Sequence, residues 1–240
     1  MAGRVLAMVI RAVGRYGCAM LDLQSRPKCS ECPIRHRAVC ARCDDDELLM
    51  LEQIKTYKSF KAGDQVLWRG DGLTYVASVV AGVASLGKTM EDGRTQMVGL
   101  LLPSDFIGRP GREAIDFDVV AVTDVTLCCF HRKPFEALIE TTPHIAQRLM
   151  EMALDELDAA RDWMLLLGRK TAREKIATFI EMLVRLTLHE IANYLGLTLE
   201  TVSRQLGAMK KERIVQFVDR RRFRVTDLEA LHVASGDDCL

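Results

Sequence analysis

Four of the chain's eight cysteines fall within fifteen residues, spaced Cys29-x2-Cys32-x7-Cys40-x2-Cys43. Two more, Cys128 and Cys129, stand side by side in an apolar run much later in the chain. Paired thiolates at this density suit zinc, an iron–sulfur cluster or a redox dithiol. The two Cys-x2-Cys pairs are seven residues apart. Zinc ribbons space their pairs by about 15–20 residues. Three close thiolates plus one from a distant strand suit a cubane cluster that clamps a loop onto a β domain. Successive strand residues face opposite ways, so at most one of Cys128 and Cys129 is expected to be a ligand. The other would pack as a small hydrophobe. On the residues alone, iron–sulfur and zinc both stay open.

A second chemistry-bearing stretch lies near the C-terminus. Gly196 ends one short helical pattern, and Thr198 is placed to cap the next, from Leu199 to about Lys211. In that second helix Val202, Leu206 and Met209 fall on one face. Glu200, Ser203 and Arg204 fall on the other, near the N-terminus that enters a major groove. Glu accepts from cytosine N4, Arg donates to guanine O6/N7, and Ser serves either base edge or phosphate. Ile214–Val218 and Phe223–Val225 read as a hairpin wing, whose Arg220, Arg221 and Arg222 would hold phosphate without reading sequence.

The elements that must position these groups follow from patterning. Asp44 can cap a short helix through Ile54, with Leu48, Leu51 and Ile54 on one side. From Tyr57 to Phe130, short apolar runs alternate with glycine turns, which predicts an all-β sandwich or barrel. The expected strands are Gln65–Trp68, Tyr75–Val80, Val83–Lys88, Gln96–Leu101 and Val119–Phe130. From Pro134 the pattern is helical, with one long segment from about Pro143 to Leu167. Met150, Ala153, Leu157, Ala160 and Met164 step by three and four along it, a stripe expected to form a dimer seam. Leu149, Met152 and Trp163 lie on a flank expected to pack on the β domain. Thr171 and Glu174 form a capping box that opens the next helix, and Thr187 with Glu190 repeats it.

Composition bounds the reading. Net charge is zero, but residues 168–226 hold thirteen Lys/Arg against six Asp/Glu, or +7. Residues 1–167 hold twenty against twenty-three, or −3. A basic C-terminal segment on a faintly acidic body fits a DNA-binding module joined to a sensor. Eight cysteines in 240 residues are too sparse for a disulfide scaffold, which points to reduced cytoplasmic thiols. No apolar run is long enough for a membrane span. No nucleophile–base set or phosphate loop is visible, so an enzyme is not expected.

At this point the chain resembles a known family. The glycine-punctuated β domain, the long helix and Leu195-Gly-Leu-Thr-Leu-Glu-Thr-Val-Ser-Arg204 are similar to the CRP/FNR transcription regulators. The run Cys29-Ser-Glu-Cys-Pro-Ile-Arg-His-Arg-Ala-Val-Cys40 resembles the FNR branch. The resemblance implies an α+β fold: an N-terminal jelly-roll-like β-roll sensor, a long dimerisation helix and a C-terminal winged helix-turn-helix. The corresponding divisions are 1–27, an extension expected to be disordered, then 28–142, 143–168 and 169–240. It further implies an oxygen-sensing homodimer whose [4Fe–4S] cluster controls dimerisation and binding to double-stranded DNA, with RNA polymerase as a partner. Carried over, its ligands are Cys29, Cys32, Cys40 and Cys128, with Cys43 and Cys129 as fallbacks. Its reading set falls on Glu200, Ser203 and Arg204, with Thr198 beside them, which implies TTGAT-like palindromic half-sites. The alternative is a zinc-stabilised or thiol-redox regulator of the same fold.

Two departures qualify the likeness. Nucleotide-binding members carry an arginine after the phosphate loop, but no arginine lies between Arg112 and Arg132, where Asp116 and Asp118 stand. No cyclic nucleotide is therefore expected. Relatives also carry additional residues where Leu186 meets Thr187 here. Either the wing domain has lost a strand or residues are absent there; the latter is expected, and the two Cα atoms should then lie well beyond the ~3.8 Å of a peptide unit.

Overall fold

The protein is described from a computed structural model, which defines residues 27–182, 188–217 and 223–236. The expectations for the 1–27 extension, for Leu186–Thr187, for the second capping box at Thr187 and for Arg220, Arg221 and Arg222 therefore fall outside the described residues, Pro27 excepted. The described chain divides into two compact units, one ending at Ala160 and the other starting at Arg161.

The first unit opens with the cysteine loop, a 3-10 turn at Cys29–Glu31 followed by irregular turns to Cys43. Asp44 then caps helix α1 (Asp45–Ile54). Its carboxylate accepts from the Glu47 amide at 2.9 Å, and the Glu47 carboxylate accepts from the Asp44 amide at 2.9 Å. Such a reciprocal cap contributes about 1 kcal/mol and fixes where the loop ends. Leu48 and Leu51 are buried, as their spacing predicts.

Eight strands follow: β1 (Lys55–Phe60), β2 (Gln65–Leu67), β3 (Tyr75–Ala81), β4 (Ala84–Thr89), β5 (Thr95–Leu101), β6 (Phe106–Ile107), β7 (Asp118–Ala121) and β8 (Val125–His131). They make two four-stranded antiparallel sheets, ordered β1-β8-β3-β6 and β2-β7-β4-β5. The β-sandwich expectation is met. The expected run Val119–Phe130 is two strands instead, because Val122 and Thr123 turn away to bond the Val83 carbonyl. β1 and β6 were not anticipated as strands: β1 alternates polar residues and β6 is two residues long.

The sheet β1-β8-β3-β6 is buried on both faces. Tyr75, Ala77, Val79, Val125, Leu127 and Cys129 point into the sandwich, with Val66, Val119 and Ala84 of the other sheet. Val76, Val80, Cys128 and Phe130 point the opposite way, against the cysteine loop, α1 and the helices below. That two-sided burial explains why β3 reads as continuous apolar sequence and not as an alternation. Gly82 makes the β3–β4 turn possible. It has φ +87°, and a Cβ there would meet the Asp124 carbonyl oxygen at 2.1 Å.

Helices α2 (Arg132–Thr141) and α3 (Pro143–Arg169) follow β8 directly. The observed α3 matches the long segment expected from periodicity. It leaves the first unit at Ala160 and enters the second. The second unit holds α4 (Ala172–Met182), α5 (Leu188–Leu195), α6 (Leu199–Lys211), the antiparallel pair β9 (Val215–Phe217) and β10 (Phe223–Val225), and α7 (Leu228–Ser235). Thr171 and Glu174 form the expected capping box at the start of α4. Ile176, Ala177, Phe179 and Ile180 bury its apolar face. Trp163 departs from expectation: its ring meets Tyr194 of α5 in a tilted pair, centroids 3.9 Å apart, within the helical unit. Leu149 and Met152 do pack on the β side. Among the described residues no helix is long and apolar enough to cross a membrane.

Candidate metal centre and nucleic-acid interface

The pleat of β8 separates its two cysteines. Cys129 lies in the sandwich core, where its nearest charged neighbour is Lys58. Cys128 lies on the opposite face, buried with Cys29, Cys40 and Cys43, with Cys32 packed alongside. Electrostatics sort the thiols further. Burial first, then the nearby thiols of Cys32, Cys29 and Cys40, push Cys128 far above the ordinary thiol range. Cys40 is raised to about 11 by burial, then by Cys32, against the opposing pull of Arg35. Burial also raises Cys29 and Cys32. Burial, then the Cys40 thiol and Glu47, push Cys43 up to about 12, against the opposing pull of Arg35. The structure thus gathers Cys29, Cys32, Cys40 and Cys128. Cys43 sits on the α1 side and Cys129 on the far face of the sheet.

A thiol raised by burial and by other thiols holds its proton unless a cation replaces it. Metal coordination satisfies that condition for several sulfurs at once. A single tetrahedral zinc with Zn–S of about 2.3 Å requires its sulfurs about 3.8 Å apart. Among the described residues no three of these sulfurs lie within 4.8 Å of one another. The donor set is all-thiol, a chemistry that suits zinc or an iron–sulfur group. The group of donors that does lie that close is Asp44, Glu47 and His144, where the carboxylates already form the α1 cap. His144 Nδ1 lies 2.9 Å from Glu47 Oε2.

Several residues that the sequence did not single out surround these thiols. The Arg35 guanidinium donates to the carbonyls of Cys40 at 2.7 Å, Ala41 at 2.8 Å and Cys43 at 2.6 Å. A fork of that shape holds a turn without regular structure, a task lysine performs poorly. Lys55 Nζ, its side chain only 7% exposed, lies 2.7 Å from the Pro27 carbonyl, 3.4 Å from Glu52 Oε1 and 3.5 Å from Cys29 Sγ. Glu52 Oε2 also accepts from the Cys29 amide at 3.3 Å, which holds its carboxyl below the usual range. Across the sheet, Cys128 pairs with Tyr57 on β1 and Ser78 on β3.

The loop is also tied to α3. Arg148 donates to the Arg37 carbonyl at 2.7 Å, and Arg42 pairs with Glu151 at 2.7 Å. These contacts bracket Cys40 in sequence and Met150 on the helix. Met150, Ala153, Leu157, Ala160 and Met164 are all exposed on α3, Met150 at 67% and Met164 at 64%. An exposed apolar stripe of that length marks an interaction face.

On α6 the expected division holds. Val202, Leu206 and Met209 are buried, while Glu200, Ser203 and Arg204 are exposed. The side chains of the exposed three make no hydrogen bond or ion pair with any described residue. Thr198 caps the helix, accepting from the Thr201 amide at 3.2 Å. Gly196, at φ +61°, makes the turn from α5. Wing strands β9 and β10 pair Phe217 with Phe223 and Val215 with Val225.

Comparison with known proteins agrees with this arrangement. Residues 57–142 match the family described as cyclic nucleotide-binding domain, and residues 144–233 match the Crp-like helix-turn-helix domain. The chain is 56% identical to the transcriptional activator protein FnrL of Cereibacter sphaeroides, over 88% of this chain and 93% of that protein. It is 26% identical to the fumarate and nitrate reduction regulatory protein of Salmonella typhi, over 95% of both chains. Among solved structures it resembles FixK2 of Bradyrhizobium japonicum, with TM-score 0.70, 30% identity, and coverage of 78% of this chain and 100% of that one. A β-sandwich with a cysteine loop, a long helix and a helix-turn-helix, together with this identity, place the chain in the CRP/FNR family, as an FNR-type, DNA-binding transcription regulator.

Proposed function

We propose that the chain is an oxygen-responsive transcriptional activator whose [4Fe–4S] cluster is held by Cys29, Cys32, Cys40 and Cys128. One observation carries the reading: the pleat of β8 turns Cys128, and not Cys129, toward the three loop thiols. When bound, the cluster supplies oxygen-labile bonds between the loop and the β sheet. The chain's residues do the rest. Arg35 keeps the Cys40–Cys43 turn closed, so the loop thiols face Cys128 together. Arg148, through the Arg37 carbonyl, and Glu151, through the Arg42 side chain, hold the loop to α3, which makes the loop's position felt at the stripe around Met150 and Ala153.

That stripe forms the homodimer seam. Two alanines let helices approach but bury little apolar area, so the dimer is weak. Asp155, Glu156, Asp158 and Asp162 flank it and repel across a two-fold axis. In a marginal interface a few kcal/mol from the loop decides the population. The dimer sets two α6 helices in major grooves about one helical turn apart. Glu200, Ser203 and Arg204 read TTGAT-like half-sites, and Arg220, Arg221 and Arg222 hold phosphate. RNA polymerase is the downstream partner, in the cytoplasm.

No cyclic nucleotide is required. Arg112, the last arginine before Arg132, is paired with Asp116, and the segment between presents carboxylates to any phosphate. Anaerobic purification tests the cluster reading. A brown protein whose visible band bleaches in air supports it, and a colourless protein with stoichiometric zinc refutes it.

A further inference from the structure

Two hydrogen-bond donors face the candidate ligands from opposite sides. One is Lys55, the first residue of β1, whose side chain is 7% exposed and whose ammonium lies 3.5 Å from Cys29 Sγ. Its other two partners are the Pro27 carbonyl and Glu52. The three acceptors match the three N–H bonds of an ammonium. The second is Ser78 on β3, directly across from Cys128 in the register. Ser78 is 2% exposed, and its hydroxyl has no hydrogen-bond partner. Its neighbours Val76 and Val80 point to the cysteine side of the sheet, so Ser78 does as well.

A buried hydroxyl without a partner is costly, and alanine would fit the same strand position without that cost. The position makes sense if the hydroxyl finds an acceptor when the site is loaded. Sulfur atoms carrying ligand charge are such acceptors, and hydrogen bonds to them are a main lever on an iron–sulfur group. The cationic donor offsets negative charge at Cys29, and the neutral donor does so to a smaller degree near Cys128.

We propose that Lys55 and Ser78 are positioning residues of the cluster, donating hydrogen bonds to sulfur on the Cys29 side and the Cys128 side respectively. The inference rests on the cluster reading above and names the groups that set the cluster's retention and potential. It also assigns Glu52 a place, as the carboxylate that orients Lys55 and receives the Cys29 amide.

The test uses full-length wild type, Lys55→Met, Lys55→Arg and Ser78→Ala, each loaded anaerobically with iron and sulfide. Three quantities are read: the half-life of the visible band against a ferrous chelator without oxygen, the reduction potential, and the Tm of each metal-free protein. Lys55→Met is expected to shorten the half-life about tenfold and shift the potential to more negative values, with Lys55→Arg restoring most of both. Ser78→Ala is expected to shorten the half-life about threefold while the metal-free Tm stays level or rises. A residue that merely packs would not move those two readings in opposite directions. Unchanged half-life and potential in a loaded Ser78→Ala and a loaded Lys55→Met overturn the proposal while leaving the cluster reading intact. A wild type that takes up no iron and sulfide overturns both.

Discussion

The two units present their working groups in opposite ways. In the unit ending at Ala160, Cys29, Cys40 and Cys128 are buried in the same core that supports the fold, with the Lys55 ammonium and the Arg35 guanidinium hydrogen-bonded beside them. In the helical unit, Glu200, Ser203 and Arg204 stand exposed on a helix whose other face is fully packed. A displayed reading face tolerates change, because its scaffold is complete without it. A hidden donor set does not, because moving a sulfur means repacking a core. The first arrangement suits a signal that must alter structure. The second suits a surface that must only be delivered to its target.

The sharpest way to break this contrast lies in the adjacent thiols. Cys128→Ala is expected to abolish iron retention, whereas Cys129→Ala keeps iron and loses stability only through altered sandwich packing. Iron per chain measured after anaerobic loading separates them, and equal retention in both would remove the pleat argument. Next comes Arg35→Lys, which leaves three loop carbonyls without their fork. It is expected to cost about 1.5–3 kcal/mol in the first unit and to lower cluster yield, as read by denaturant melts and iron content. Arg204→Ala acts on the other unit: DNA affinity should fall by about 1–3 kcal/mol, with iron content and melting unchanged.

The smallest effect concerns pH. Asp105 is held up at about 6 by burial, partly offset by the Leu102 amide at 2.7 Å, with Glu156 raising it and Arg37 lowering it. Its folded-state value exceeds the unfolded one, so the native state binds more protons between about pH 4 and pH 6, and stability falls as pH rises through that window. Asp105→Asn is therefore expected to stabilise the protein by about 1–2 kcal/mol at pH 7, with the gain gone by about pH 4. Melts across that range check the sign.

Much of the architecture was legible because periodic burial writes itself into sequence. The α1 cap at Asp44, the α4 capping box, the α3 stripe and the inward face of α6 all follow from spacing. What escaped notice had no period. β1 carries lysine and serine on an exposed edge and shows no apolar alternation, and the helix flank that holds Trp163 does not say which unit it meets. The spacing of Cys29, Cys32 and Cys40 points to a candidate metal site, but not to the groups around it. Arg35, Lys55, Ser78 and Arg148 act through distances across 5 to 111 residues of chain or across a sheet register. Only folding brings them to the sulfurs.

The central claim is that a cluster on the hidden thiols governs what the displayed face does. The direct measurement is the affinity of one anaerobic sample for a TTGAT-containing palindrome, before and after air, with iron and labile sulfide assayed at each point. Tight binding that falls in step with loss of the cluster is expected. Equal affinity in the two states, or tight binding by a colourless zinc protein, would contradict it.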